Sequence, residues 1–203
     1  MIQSVNNKKI KEYAKLIQKK ERDKTNLFLV EGEHMVREAF NAKALQELFI
    51  LEGLECPIEF NYETVTQQVL NKLSNQNSNS KMIGVCKKLN LKPEKEENIL
   101  LLDNVQDPGN AGTIIRNAVA FGVDTIIFSK ESVNPYNEKV VRSAQGMIFN
   151  VNIIVDDLPK RIKEIKEKNI KVIGTSLKTK RNVSSMPKYE KYAVVFGNEG
   201  NGM

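Results

Sequence analysis

The 203 residues include one histidine, His34, and two cysteines, Cys56 and Cys86. The cysteines lack C-x-x-C spacing, so this chain cannot supply the usual Cys/His zinc set by itself. Both read as reduced, partly buried thiols rather than a bridge, and no metal is expected. A lone histidine without a partner is usually structural, and His34 is assigned no role. The opening stretch MIQSVNNKKIKEYAKLIQKKERDK has no apolar core and does not read as a secretory signal. No apolar run approaches the ~20 residues of a membrane span, and a cytoplasmic protein is expected. The dinucleotide fingerprint G-x-G-x-x-G does not follow the first strand of the second half. The loop DPGNAGTIIR lacks the Gly-Lys-Ser/Thr of a phosphate-binding loop. An ordinary NAD enzyme or ATPase is therefore disfavoured.

What is present begins with charge. The formal net charge of +6 favours polyanionic partners, because a Lys or Arg near a phosphate releases condensed counterions. Ile10, Tyr13, Ala14, Leu16 and Ile17 recur at helical spacing, and Lys8, Lys9, Lys11, Lys15, Lys19, Lys20 and Arg22 fill the rest of that surface. Such a face suits RNA phosphates, or is a solvated helix side. The strand candidates NLFLV, LQELFILEG, PIEFNYETV and MIGVCKKL alternate with helical patterns in EGEHMVREAFNA and TQQVLNKLSN, and QNSNSK reads as a loop. That order predicts a small α/β domain over residues 1–92. The stretch Asn90–Asn98, with Pro93 among charges, reads as a linker, so a second domain is expected over 93–203.

The second half opens with ILLLDNV, whose continuous apolarity suits a central parallel strand. QDPGNAG reads as a loop and TIIRNAVAFG as a helix closed by Gly122. Strands DTIIFS, VNIIV, KVIGTSL and YAVVF alternate with helices NEKVVRSAQGM and LPKRIKEIKEKN. The pattern predicts a mostly parallel sheet with helices on both faces. In such sheets ligands sit beyond the carboxyl ends of the strands. The loops DNVQDPGNAG, GTSLKTKRN and FGNEGNG lie there, rich in small residues that let a ligand approach the backbone.

The stretch LLDNVQDPGNAGTIIRNAVAFGVDTIIF resembles the first motif of the SpoU (TrmH-like) RNA methyltransferases of the SPOUT superfamily. FGNEGNGM resembles their second motif, and NPYNEKVVRSAQGMIFNV the stretch between. IKEYAKLIQKKERDKTNLFLVEGEHMVREA, with Arg22 and the pair Glu31–Gly32, is similar to the family's RNA-binding domain. The resemblance implies S-adenosyl-L-methionine-dependent methyl transfer to a ribose 2′-hydroxyl of ribosomal or transfer RNA by a homodimer, and the two-domain plan favours structured ribosomal RNA over transfer RNA. The family's third motif, which completes the cofactor pocket and forms a trefoil knot, is expected beyond Met203. The chain as it stands is then expected to be impaired and unknotted. The alternative is a non-catalytic RNA-binding protein that keeps the fold.

By the same resemblance Arg116, Asn110 and Glu199 are the catalytic candidates. Arg116 would clamp phosphate and stabilise a forming alkoxide; base catalysis is disfavoured because a guanidinium ordinarily keeps its proton. Asn110, expected on the loop, would bond the target nucleotide or Arg116, though Asn also suits a turn or helix cap. Glu199 would position the ribose or orient Arg116, or cap backbone N–H groups. Gly197, Asn198, Gly200, Thr175 and Ser176 are the cofactor-binding candidates. Arg22, Arg142, Lys19 and Lys20 are the RNA-binding ones.

Overall fold

The structure is a computed structural model and describes residues 1–74, 79–93, 96–176, 179, 182–200 and 202. Parts of the polar loop (75–78), the linker (94, 95), the loop after KVIGTS (177, 178, 180, 181) and the second motif (201, 203) lie outside the described residues. The elements run α1 (Lys8–Ala14), α2 (Lys19–Thr25), β1 (Leu27–Glu31), α3 (Glu33–Asn41), β2 (Leu45–Leu51), β3 (Glu63–Val65), α4 (Gln67–Leu73), β4 (Met82–Lys87), β5 (Asn98–Leu102), α5 (Pro108–Ala120), β6 (Thr125–Ser129), α6 (Glu138–Ser143), β7 (Asn152–Asp156), α7 (Leu158–Glu167), β8 (Lys171–Gly174) and β9 (Tyr192–Phe196). No described helix is long and apolar enough to cross a membrane.

Two compact units emerge. The first is Met1–Leu89 with Tyr136–Asn150, the second Asn90–Pro135 with Val151–Met203. The sequence pattern puts 136–150 in the second domain; it packs with the first. The Phe28 ring lies 4.9 Å from that of Tyr136 and 5.9 Å from that of Phe149, and the Lys88 ammonium sits 5.1 Å over Tyr136. Gly146 has φ +87°, and a Cβ there would meet Glu38 Cγ at 2.5 Å, so glycine is required for this approach.

The first unit holds a four-stranded sheet ordered β1-β4-β2-β3, antiparallel except for the β2–β3 pair. Its core gathers Ile10, Leu16, Phe49, Val69, Leu70 and Ile83. The expected strand PIEFNYETV shrinks to Glu63–Val65, since Pro57 has no N–H to give a ladder. The first helical pattern is broken: Gln18 is extended and Asn26 ends α2 in the left-handed region at φ 58°.

The second unit is a five-stranded, wholly parallel sheet ordered β7-β6-β5-β9-β8. From β5 at the centre the chain moves out through β6 and β7, then returns to the opposite edge. The topological switch point therefore lies between β5 and β9, where ligand crevices form in open parallel sheets. Ile99, Leu101, Ile127, Ala193 and Val195 pack with Leu158 and Ile165 of α7. The intervening Leu100, Leu102, Ile126 and Phe128 are buried as well, so both faces of the central strands are covered. Helix α5 starts five residues earlier than TIIR suggests. Pro108 occupies its first turn, where the missing N–H costs nothing, and Asp107 caps it. It ends as expected: Gly122, at φ +70°, donates to Val119 O and Val123 to Ala118 O, a Schellman closure.

Candidate active site at the switch point

The loop after β5 turns at Asn104, which adopts φ +56°, a conformation more tolerable for Asn than for most residues. Asp107 Oδ1 accepts the Asn110 N–H at 2.7 Å and opens α5. Buried Ala111, Ile115 and Ala118 hold that helix by one stripe, while Asn110, Thr113, Arg116 and Asn117 are exposed. Asn110 therefore sits in the first helical turn rather than on the loop, and Asp107 takes the capping role that Asn110 could have filled.

Glu199 reaches this turn from the loop after β9. Its carboxylate accepts from the N–H groups of Gln106 and Asp107 and from Asn110 Nδ2, each at 3.3 Å. Burial pushes its acidity the other way, but these bonds and one from its own backbone outweigh it and hold the carboxyl below its usual range. The structure thus joins Glu199 to Asn110. It does not bond either of them to Arg116, which is exposed and whose side chain makes no hydrogen bond or ion pair among the described residues.

Asn198 bends the loop that carries Glu199. Its Nδ2 donates to Asn104 O at 2.8 Å, its Oδ1 accepts from Gly200 N at 2.9 Å, and its backbone exchanges two bonds with Gly202. Both ends of the amide are bonded within the loops, which fixes the path of the chain into Glu199. Thr175 is tied similarly, its hydroxyl donating to Val195 O at 2.9 Å. Ser176 is exposed next to it, and Gly197 is half-buried directly after β9.

Sequence reasoning missed the opposite wall. Asn104 N donates to Ser129 Oγ at 3.1 Å and Val105 N to Ser132 Oγ at 3.1 Å. Gln106 Nε2 donates to Glu131 O at 2.6 Å and to Asn104 Oδ1 at 2.5 Å. The available signal was a pair of small hydroxyl residues at the carboxyl end of a strand neighbouring β5.

The candidate RNA-binding residues lie in the first unit. Lys19, Lys20 and Arg142 are exposed. Arg22 is not: it is 4% exposed, and Nη1 donates to Leu16 O at 2.9 Å and Ile17 O at 2.6 Å. The sequence placed it on a phosphate-facing surface, but its Nη1 closes the turn between α1 and α2. Charge pattern counted it as surface because nothing in the sequence marks an arginine that caps carbonyls. The pair Glu31–Gly32 is likewise structural, Glu31 accepting from Ser74 Oγ at 2.8 Å and Gly32 standing at φ 86° before α3. A cleft beside Arg22, Tyr136, Glu138 and Arg142 has about 40 Å³ of free space, room for water rather than a nucleoside. No described cluster of His, Cys, Asp or Glu could hold a metal ion.

Comparison with known proteins agrees with this geometry. Residues 97–203 match the SpoU rRNA Methylase family and residues 7–84 the MRM3-like substrate binding domain. The chain is 35% identical over 209 residues to the Bacillus subtilis (strain 168) 23S rRNA (guanosine(2553)-2′-O)-methyltransferase RlmP, covering all of this chain and 84% of that protein. Its fold is similar to the AdoMet-bound rRNA methyltransferase from Sinorhizobium meliloti, with a TM-score of 0.85 at 25% identity over 100% of this chain and 82% of that one. The fold also resembles the SpoU methyltransferase AviRb from Streptomyces viridochromogenes, with a TM-score of 0.85 at 20% identity over 97% and 83%. With its two motifs meeting at the switch point of a parallel sheet, the chain belongs to the SpoU rRNA methylase family.

Proposed function

We propose that this protein transfers a methyl group from S-adenosyl-L-methionine to a ribose 2′-hydroxyl of ribosomal RNA. The observation that carries the reading is the Glu199–Asn110 junction, which joins the two motif loops at the crevice where an α/β sheet binds ligands. Relatives support the chemistry: the Bacillus subtilis protein is a 23S rRNA 2′-O-methyltransferase, and the Sinorhizobium meliloti rRNA methyltransferase is bound to AdoMet.

The residues present fit that cofactor. Phe196, 38% exposed at the end of β9, offers an apolar ring, and Gly197 after it leaves backbone open to close approach. Gly197, Asn198, Gly200, Thr175 and Ser176 would line the cofactor, with the Thr175 hydroxyl serving to hold β8 against β9. When bound, the sulfonium supplies an already activated methyl, so the protein's work is alignment and charge stabilisation.

Arg116 presents its guanidinium from the exposed side of α5, where a planar fork can grip a phosphate and stabilise charge growing on the ribose oxygen. Asn110 is oriented by Glu199 and offers its remaining hydrogen-bonding capacity to the target nucleotide. Glu199, held ionised by its donors, is a weak base, and its task is positional. With the cofactor bound, the S–CH3 bond would break as the C–O bond forms, leaving a neutral thioether, and the proton of the 2′-hydroxyl would be released to solvent. Lys19, Lys20 and Arg142 supply phosphate contacts that hold RNA without reading its sequence. The reading includes a homodimer and work in the cytoplasm, where ribosomal RNA is found.

Incubation with labelled S-adenosylmethionine and unmethylated ribosomal RNA, followed by nucleoside analysis, tests the proposal. A 2′-O-methylnucleoside is expected; label on a base, or none, would refute it.

A further inference from the structure

The turn at Asn104 is held from the β6 side by a pair of serines whose proton positions are set by their partners. Ser132 Oγ lies 3.0 Å from Leu102 O, which can only accept, so the single Ser132 hydroxyl proton goes there. Val105 N donates to the same oxygen at 3.1 Å. The Ser129–Ser132 hydroxyl contact of 3.0 Å must then run from Ser129 to Ser132, which uses both Ser132 lone pairs. Ser129 in turn accepts from Asn104 N at 3.1 Å. One oxygen, Ser132 Oγ, thus binds the last carbonyl of β5 and the Val105 N–H, and orients the hydroxyl that binds the Asn104 N–H. These are the backbone groups flanking Asn104 in its left-handed conformation.

The course of the chain beyond Asn104 depends on that turn. The Asn104 carbonyl receives Asn198 Nδ2, and the N–H groups of Gln106 and Asp107 meet the Glu199 carboxylate. Asp107 then caps α5, which carries Asn110 and Arg116. We infer that Ser132 is a positioning residue for methyl transfer: its hydroxyl sets the Asn104 turn and so places Glu199, Asn110 and Arg116 relative to the crevice. This rests on the methyltransferase reading above. Ser132 is half-buried on a loop, so losing its hydroxyl should disturb placement more than folding. Misplacement of reacting groups by about 1 Å is enough to slow a reaction that depends on in-line alignment.

The test compares Ser132→Ala with Ser132→Thr, which keeps the hydroxyl. Ser132→Ala is expected to lower kcat about tenfold with KM for RNA and for S-adenosylmethionine within about twofold, and Ser132→Thr to restore most of it. Amide resonances of Asn104 to Asp107 should move in Ser132→Ala while those of Thr125 to Ile127 in β6 stay. An unchanged kcat in Ser132→Ala, an equal loss in Ser132→Thr, or a rise in KM alone would overturn the inference. So would an unfolded Ser132→Ala, because the hydroxyl would then be a stability element. A wild-type protein that methylates no RNA would refute the methyltransferase reading instead. The amide comparison would still decide the positioning role, which unmoved Gln106 and Asp107 resonances would refute.

Discussion

Replacing Arg22 by alanine separates the charge pattern of the sequence from the structure. A surface phosphate contact would leave stability unchanged and weaken RNA binding by an amount that fades with salt. The structure gives the opposite expectation. Arg22 donates to Leu16 O in a buried environment and to Ile17 O in a half-buried one. A hydrogen bond from a charged donor contributes ~1.5–3 kcal/mol; the buried bond belongs near the top of that range and the half-buried one near the bottom. Their sum is about 4.5 kcal/mol, before any lost packing of the side-chain stem. For a small domain with an m-value of ~2 kcal/mol/M in urea, the midpoint should fall by about 2 M. Arg22→Lys should recover less than half, because the lysine chain ends one atom short of the position from which Nη1 reaches both carbonyls, and its compact, strongly hydrated ammonium is costlier to bury. Urea titration followed by circular dichroism, with RNA affinity measured at two salt concentrations on the protein that remains folded, reads both quantities. An unmoved midpoint with a salt-dependent loss of affinity would show that Arg22 works on the surface after all.

Other outcomes rest on the same geometry. Arg116→Ala should abolish methyl transfer with S-adenosylmethionine affinity within about threefold of wild type, and Arg116→Lys should rescue little of it; calorimetry and a turnover assay check both. Glu199 has its folded-state pKa depressed by hydrogen bonding, so its stabilisation is present above the unfolded carboxylate value of ~4.3 and is lost as pH falls through the lower folded value. Glu199→Gln should accordingly melt below wild type at pH 7, with the gap closing as melting curves are taken below about pH 4. Limited proteolysis should cut first between Leu89 and Asn98, and the two pieces should stay associated because 136–150 packs with the first unit; a chain that resists cleavage there would argue against a domain boundary.

Much of the second unit was legible because its physics is local. Strands buried on both faces write continuous apolar runs such as ILLL and TIIF, and Gly122 marks the end of α5 by its positive φ. The start of α5 was obscured because PGNAG reads as a loop until Asp107 is seen to cap it. Contacts across the sheet were out of reach. Ser129 and Ser132 look like ordinary loop serines until β6 is placed beside β5, and nothing in the sequence joins Asn198 to Asn104 O. Arg22 misled for the complementary reason, since a basic residue among lysines carries no local mark of burial. The segment 136–150 was assigned by continuity of sequence, while Phe28, Tyr136 and Phe149 place it by aromatic packing.

The most direct measurement is mass-spectrometric mapping of ribose methylation in ribosomal RNA from cells with and without this protein, and from cells carrying Arg116→Ala. One 2′-O-methyl group should be present with the wild-type protein and absent in both other cases. Ribosomal RNA with every ribose methyl retained in its absence would contradict the assignment.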